Sequence, residues 1–150
     1  MNKDDLNEAS QVHREAFVRQ MLSFEWLECN LNAFPRFLCF VAESNESIVG
    51  YIIWVQKSGF RPEAIVDLEQ IAVLSKYHGQ GIGRELIEKS LPLVKTQLEK
   101  QGSKLNYITV NTRSDNHAQQ LYKNVLGAEV EAVISNLYSA DEVFMVARSV

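Results

Sequence analysis

The chain has 150 residues, room for one domain with a full hydrophobic core and no need of disulfide or metal staples. Its net charge of −4 argues against non-specific nucleic-acid binding, which needs a basic face. The apolar runs are short and broken by charge, and the amino terminus MNKDDLNEAS has no apolar stretch. Neither a membrane span nor a signal peptide is therefore expected, and a cytoplasmic location is the default.

Cys29 and Cys39 carry no metal-ligand spacing and read as reduced, structural thiols, while His13, His78 and His117 lie far apart. No metal is expected. From about Asn7 to Leu22, Val12, Ala16, Phe17 and Met21 recur at helical intervals, and a second helical piece runs through Trp26, Leu27 and Leu31 until Phe34-Pro35. Phe37 to Ala42 and Ile48 to Gln56 read as a hairpin around Asn45-Glu46-Ser47, with Gly50 marking a bulge, a close approach or equally neutral drift. Ala64 to Leu74 is a third strand. A helix from Gly81 carries Ile82, Leu86, Ile87, Val94 and Leu98 on one side, with Glu85 and Lys89 at i, i+4. Pro92 is expected to kink or end it, and Gly102 to stop it. Leu105 to Val110 is a strand. Asp115 to Val125 is a helix closed by Gly127, and Glu129 to Ile134 and Val143 to Ala147 are two final strands. The order α-β-β-β-α-β-α-β-β predicts an α+β fold, a central mixed sheet flanked by helices.

The most informative stretch is Asp67 to Leu86, a strand that feeds a loop with glycines at 79, 81 and 83 and then a helix. Helix-start amides point outward without partners at the positive end of the dipole, and glycines leave an anion free to approach, so a diphosphate is the natural guest. A P-loop needs a lysine after its last glycine, and none is present. A dinucleotide fingerprint needs GxGxxG and an acid about 20 residues on, whereas this loop is GxGxG and the region of Ser103 and Lys104 has no carboxylate. A tight turn with no ligand would need fewer glycines.

Leu68-Glu69-Gln70-Ile71-Ala72-Val73 followed by His78-Gly79-Gln80-Gly81-Ile82-Gly83 resembles the acetyl-CoA signature of the GCN5-related N-acetyltransferase (GNAT) superfamily: a strand L-x-x-I-x-V, then [RQ]-x-x-G-x-[GA]. His78 departs from the usual Arg or Gln. A second block, Ala118-Gln119-Gln120-Leu121-Tyr122, matches the family's A-x-x-[LF]-Y, with Asp115 where Asn is usual, Asn116 one residue later, and Gly127-Ala128 in place of G-F. The resemblance covers about Ile48 to Val146 and implies a single N-acetyltransferase domain over residues 1–150. Only six residues stand ahead of the first helix, where the family's usual first strand would lie, so either the sheet is one strand short or the start of the chain is shortened. Such a loss would leave an open sheet edge and favour a homodimer.

The resemblance also implies roles. Pantetheine would pair with backbone groups of Ile71, Ala72 and Val73, the diphosphate would sit on His78, Gly79, Gln80, Gly81, Ile82, Gly83 and Arg84, and Asn116 and Tyr122 would complete the acetyl-CoA site. Tyr122 would also be the general acid for the leaving thiolate. Asp67 and Glu69 share one face of the strand as alternative general bases, with Glu69 slightly preferred. The implied reaction is direct acetyl transfer to a primary amine in a ternary complex. Asn136 and Tyr138 resemble the N-x-Y of protein N-terminal acetyltransferases, making Tyr138 a candidate substrate contact for a peptide N-terminus; small amines stay open. The competing function is a catalytically silent acyl-CoA-binding regulatory module, favoured by His78 and the displaced Asn.

Overall fold

A computed structural model describes every residue from Met1 to Val150. Its elements, apart from two single-turn 3-10 helices, are α1 (Leu6–Ala16), α2 (Ser23–Asn32), β1 (Phe37–Ser44), β2 (Ser47–Lys57), β3 (Glu63–Val73), α3 (Ile82–Lys100), β4 (Lys104–Arg113), α4 (Ala118–Leu126), β5 (Glu129–Ile134) and β6 (Glu142–Ala147). Six strands form one mixed sheet in the order β1-β2-β3-β4-β6-β5, as the α+β reading expects. β3 and β4 run parallel, while β1 with β2, β4 with β6 and β5 with β6 run antiparallel. No strand precedes α1, so β1 is an outer strand of the sheet. The chain groups into two compact units, Met1–Val55 with Gln70–Val94, and Gln56–Glu69 with Lys95–Val150. No helix is long and apolar enough to cross a membrane.

In the first unit, α1 buries Leu6, Ala9 and Val12 at three- and four-residue spacing, against Leu27 of α2, Ile48, Tyr51 and Ile53 of β2, and Ala72 of β3. β1 and β2 pair from Phe37↔Val55 to Ser44↔Ser47, with a bulge where Ala42 faces Gly50 and Glu43 faces Ile48. The bulge and the close approach at Gly50 both hold, because a Cβ there would also lie 2.9 Å from the Ala72 carbonyl oxygen. α3 runs unbroken through Pro92. The ring removes one intrahelical donor without ending the helix.

α1 stops at Ala16, six residues earlier than its periodicity suggests, and Met21 is exposed where an inward position was expected. The cause is a polar network that turns the chain back. Trp26 Nε1–H can only donate, and it donates to Gln70 Oε1 (3.0 Å), as does the Tyr51 hydroxyl (2.7 Å). The Gln70 amide nitrogen therefore donates to Gln20 Oε1 (3.1 Å). That same oxygen accepts from His13 Nε2 (2.8 Å), so the imidazole carries its hydrogen on Nε2 and its Nδ1 accepts from the Ser23 hydroxyl (2.8 Å). Burial holds the His13 pKa down, against the opposing Gln20 bond and with help from the Arg14 charge. One neutral ring thus pins residues 20 and 23, and Leu22 between them adopts a left-handed conformation with φ 53°.

In the second unit, β4 is central. It pairs in parallel with β3 from Glu63↔Lys104 to Asp67↔Thr109, and antiparallel with β6 from Ile108↔Ala147 to Arg113↔Glu142. Ile108, Val110, Val143, Met145, Tyr122 and Leu126 are buried. α4 ends as expected at Gly127, left-handed at φ 66°, where Ala128 N–H returns to the Tyr122 carbonyl (3.2 Å). That cap fixes the turn of helix bearing Tyr122.

Candidate active site

The two units carry different parts of the expected site. In the first, β3 ends at Val73, a 3-10 turn over Ser75–Tyr77 follows, and the glycine segment leads into α3. Gly79 and Gly81 have φ of 75° and 82°, a region closed to most side chains, while Gly83 lies in the first turn of α3 with no such need. The glycine requirement is therefore conformational at two positions of the three. A Cβ at Gly79 or Gly81 would meet no atom within 4 Å, so the outer face of the segment is open. Glu85 N–H bonds Gly81 O (3.0 Å), which leaves the amides of Ile82, Gly83 and Arg84 ahead of that first bond without an intrahelical acceptor. This arrangement fits a diphosphate.

His78 is not idle. Its ring nitrogen Nε2 donates to the Val73 carbonyl (2.7 Å), and its own amide bonds the Ser75 carbonyl (3.0 Å). The Val73 oxygen, expected to be available to pantetheine, is thus already engaged once. A carbonyl has two lone pairs, so one acceptor position remains. Ile71 and Val73 are half-buried and Ala72 is buried. Arg84 is exposed and pairs with Glu88 (3.0 Å); Glu85 and Lys89 form the expected i, i+4 pair. Gln80 is exposed.

In the second unit the parallel register sets Thr109 beside Asp67, and the threonine hydroxyl donates to Asp67 Oδ1. Asp67 is 8% exposed, and its pKa is pushed up by loss of solvent, against the opposing Thr109 bond and the Lys57 charge. Tyr122 from α4 is 4% exposed, and its phenol is pushed up to about 12, by burial first and then by the negative charge of Asp67. Both predicted residues are thus buried, and the Asp67 charge is one cause of the rise at Tyr122. Glu69 lies two residues along the same strand face, half-buried. Asn116 Oδ1 accepts from Ala118 N–H (2.9 Å), closing its own turn, while Asp115 is paired with Arg113 (2.9 Å). Tyr138 is 77% exposed in the turn between β5 and β6. Thr109 and Lys57 were not anticipated: only the β3–β4 register, absent from local pattern, reveals the threonine.

The acetyltransferase (GNAT) domain family matches residues 35–125. No curated protein matches the chain by sequence. Among solved structures, the ribosomal-protein-S18-alanine N-acetyltransferase from Escherichia coli superposes with a TM-score of 0.73 at 23% identity, over 99% of this chain and 90% of that one. The aminoglycoside 6'-N-acetyltransferase from Enterococcus faecium gives 0.76 at 15% identity, over 100% and 95%. An aminoglycoside 6'-N-acetyltransferase complexed with coenzyme A gives 0.77 at 15% identity, over 99% and 93%. These likenesses are of fold. With a family match over more than half of its length, the chain belongs to the GNAT acetyltransferases and is an acyltransferase whose donor is acetyl-CoA.

Proposed function

We propose that the protein acetylates a primary amine by direct attack on acetyl-CoA in a ternary complex, with Tyr122 as general acid and a carboxylate of β3 as general base. The observation that carries this reading is the burial of both Asp67 and Tyr122, with the Thr109 hydroxyl on the carboxylate and the Asp67 charge helping to raise the phenol. Asp67 is the better base of the two candidates. Desolvation raises its proton affinity, the Thr109 hydroxyl orients it, and its charge acts on the proposed acid. Glu69, on the same face, is the alternative, and either carboxylate can act through one water.

The need for a base follows from the acceptor. A lysine-like amine has a pKa near 10.4, so about one in 2,500 is neutral at pH 7; a peptide α-amine, near 7.7–8.0, is neutral in roughly a tenth of molecules. The carboxylate takes the first proton from the ammonium. As nitrogen bonds the acyl carbon and the C–S bond breaks, the phenol proton passes to the departing sulfur and the second nitrogen proton restores the phenol. A phenol with pKa about 12 stays protonated at neutral pH, ready to donate. The diphosphate would rest on the amides of Gly79 to Arg84. Pantetheine would extend along Ile71 to Val73, with Asn116 near Tyr122. Tyr138, exposed and bearing a hydroxyl, is the proposed acceptor contact.

The acceptor is a small amine or a peptide N-terminus. The names of two structural relatives span both, an alanine of a ribosomal protein and the 6'-nitrogen of aminoglycosides. Thiol release from acetyl-CoA should be measured against a panel of peptides and small amines. Turnover with one class and not the other is the expected result. Tight acetyl-CoA binding without turnover on any acceptor would remove the proposed roles of Tyr122 and of the β3 carboxylates.

A further inference from the structure

Between the end of β3 and the glycine segment the chain must reverse within a few residues, and two side chains hold that reversal. Glu15, at the last turn of α1, accepts from both the amide (2.8 Å) and the hydroxyl of Ser75. Those two bonds hold the Glu15 carboxylate below its ordinary pKa, with a smaller contribution from the His78 and Lys76 charges. Ser75 O then takes the His78 amide, and the His78 ring reaches back five residues to the Val73 carbonyl. The turn is thus tied to α1 on one side and to the end of β3 on the other.

We infer that His78 is a positioning residue for the diphosphate loop, acting through the hydrogen bond from its Nε2–H to the Val73 carbonyl and not through contact with the ligand. The residue after His78 is Gly79, whose φ of 75° leaves it without the steric restraint a side chain would supply. The direction in which the amides from Gly79 to Arg84 emerge must be set from outside the glycines. A ring hydrogen-bonded to the last residue of β3 does so, because it locks the chain immediately ahead of Gly79 to the strand along which the rest of the ligand would lie. The carbonyl can only accept, so the requirement is for a donor at this reach, and charge is incidental. A glutamine side-chain amide meets that requirement. A phenylalanine ring fills similar space and cannot donate.

This inference rests on the proposed diphosphate site, and its test separates the two. Three variants are compared, His78→Ala, His78→Gln and His78→Phe, with thermal midpoints recorded so that a general loss of fold is recognised. In the unliganded protein, exchange of the hydrogen-bonded amides that flank the segment, Tyr77 (to Leu74 O) and Glu85 (to Gly81 O), should quicken about 5-fold or more in His78→Ala and His78→Phe and return near wild type in His78→Gln. With coenzyme A as probe, Kd measured by calorimetry should rise about 10-fold in the first two and stay within about 3-fold in His78→Gln, the rise corresponding to about 1.4 kcal/mol. Equal behaviour of His78→Gln and His78→Phe in exchange would overturn the inference, whether or not coenzyme A binds. Failure of the wild-type protein to bind coenzyme A, with the exchange pattern intact, would remove the diphosphate site and leave the brace standing.

Discussion

Asp67 and Gln70 stand three residues apart on β3, point to opposite faces, and are equally buried at 8% exposure, yet their surroundings treat them in opposite ways. Gln70 is neutral, and its amide is satisfied from both ends: Trp26 and Tyr51 donate to its oxygen, and its nitrogen donates to Gln20. Asp67 accepts from the Thr109 hydroxyl, and the loss of water around it outweighs that bond and the Lys57 charge. A fully satisfied buried amide holds a fold in place. An under-compensated buried carboxylate is kept reactive toward protons. One strand thus presents a structural polar group and a chemical one, and the difference lies in the donors around each, not in depth.

The largest effect should come from the chemical face. Tyr122→Phe removes the proposed proton donor while keeping the ring, and kcat should fall about 10²–10⁴-fold at neutral pH. An unchanged kcat from acidic to alkaline pH would strip Tyr122 of that role. The structural face should respond in stability. Gln70→Leu leaves the Trp26 indole N–H and the Tyr51 hydroxyl without their shared acceptor, at a cost of about 2–5 kcal/mol in chemical denaturation. If Gln70→Leu instead kept wild-type stability, the network would be dispensable and the contrast between the two residues would collapse.

The parts of the molecule that could be read from the chain were those written locally. The apolar strand runs, the glycine segment, the Glu85–Lys89 spacing and the Gly127 stop each occupy a few adjacent residues, and each appears where expected. The α1 boundary failed because helical periodicity continues past Ala16 to Met21, while the end is set by Gln70, fifty residues away from Gln20. Pro92 did not end the helix for the opposite reason: a strong local breaker was outvoted by the buried face of α3, with Leu86, Ile87, Val94 and Leu98 on either side of it. In the site, Tyr122 was legible from its block of residues. Thr109, the partner of Asp67, was not, because the Asp67↔Thr109 contact exists only once the parallel register is known.

The smallest and most discriminating effect concerns how stability varies with pH in Asp67→Asn. The substitution keeps the volume and an oxygen for the Thr109 hydroxyl, and removes the ionisation. In the unfolded chain an aspartate titrates near 3.9. In the native protein burial pushes Asp67 above that value. Below the unfolded value both states hold the proton, and the contribution of the protonated carboxyl is fully present. As the pH rises through the raised native value, the folded protein must accept a charge in a site with little water, and that contribution is lost. Asparagine has no such loss. The thermal midpoint of Asp67→Asn should therefore gain on wild type as pH climbs from about 3.9 through the native titration, then hold a constant offset above it. An offset that moved the other way would mean the native state favours the Asp67 anion, with the Lys57 charge and the Thr109 hydroxyl outweighing desolvation. Asp67 would then belong with Gln70 among the satisfied groups, and the role of base would pass to Glu69.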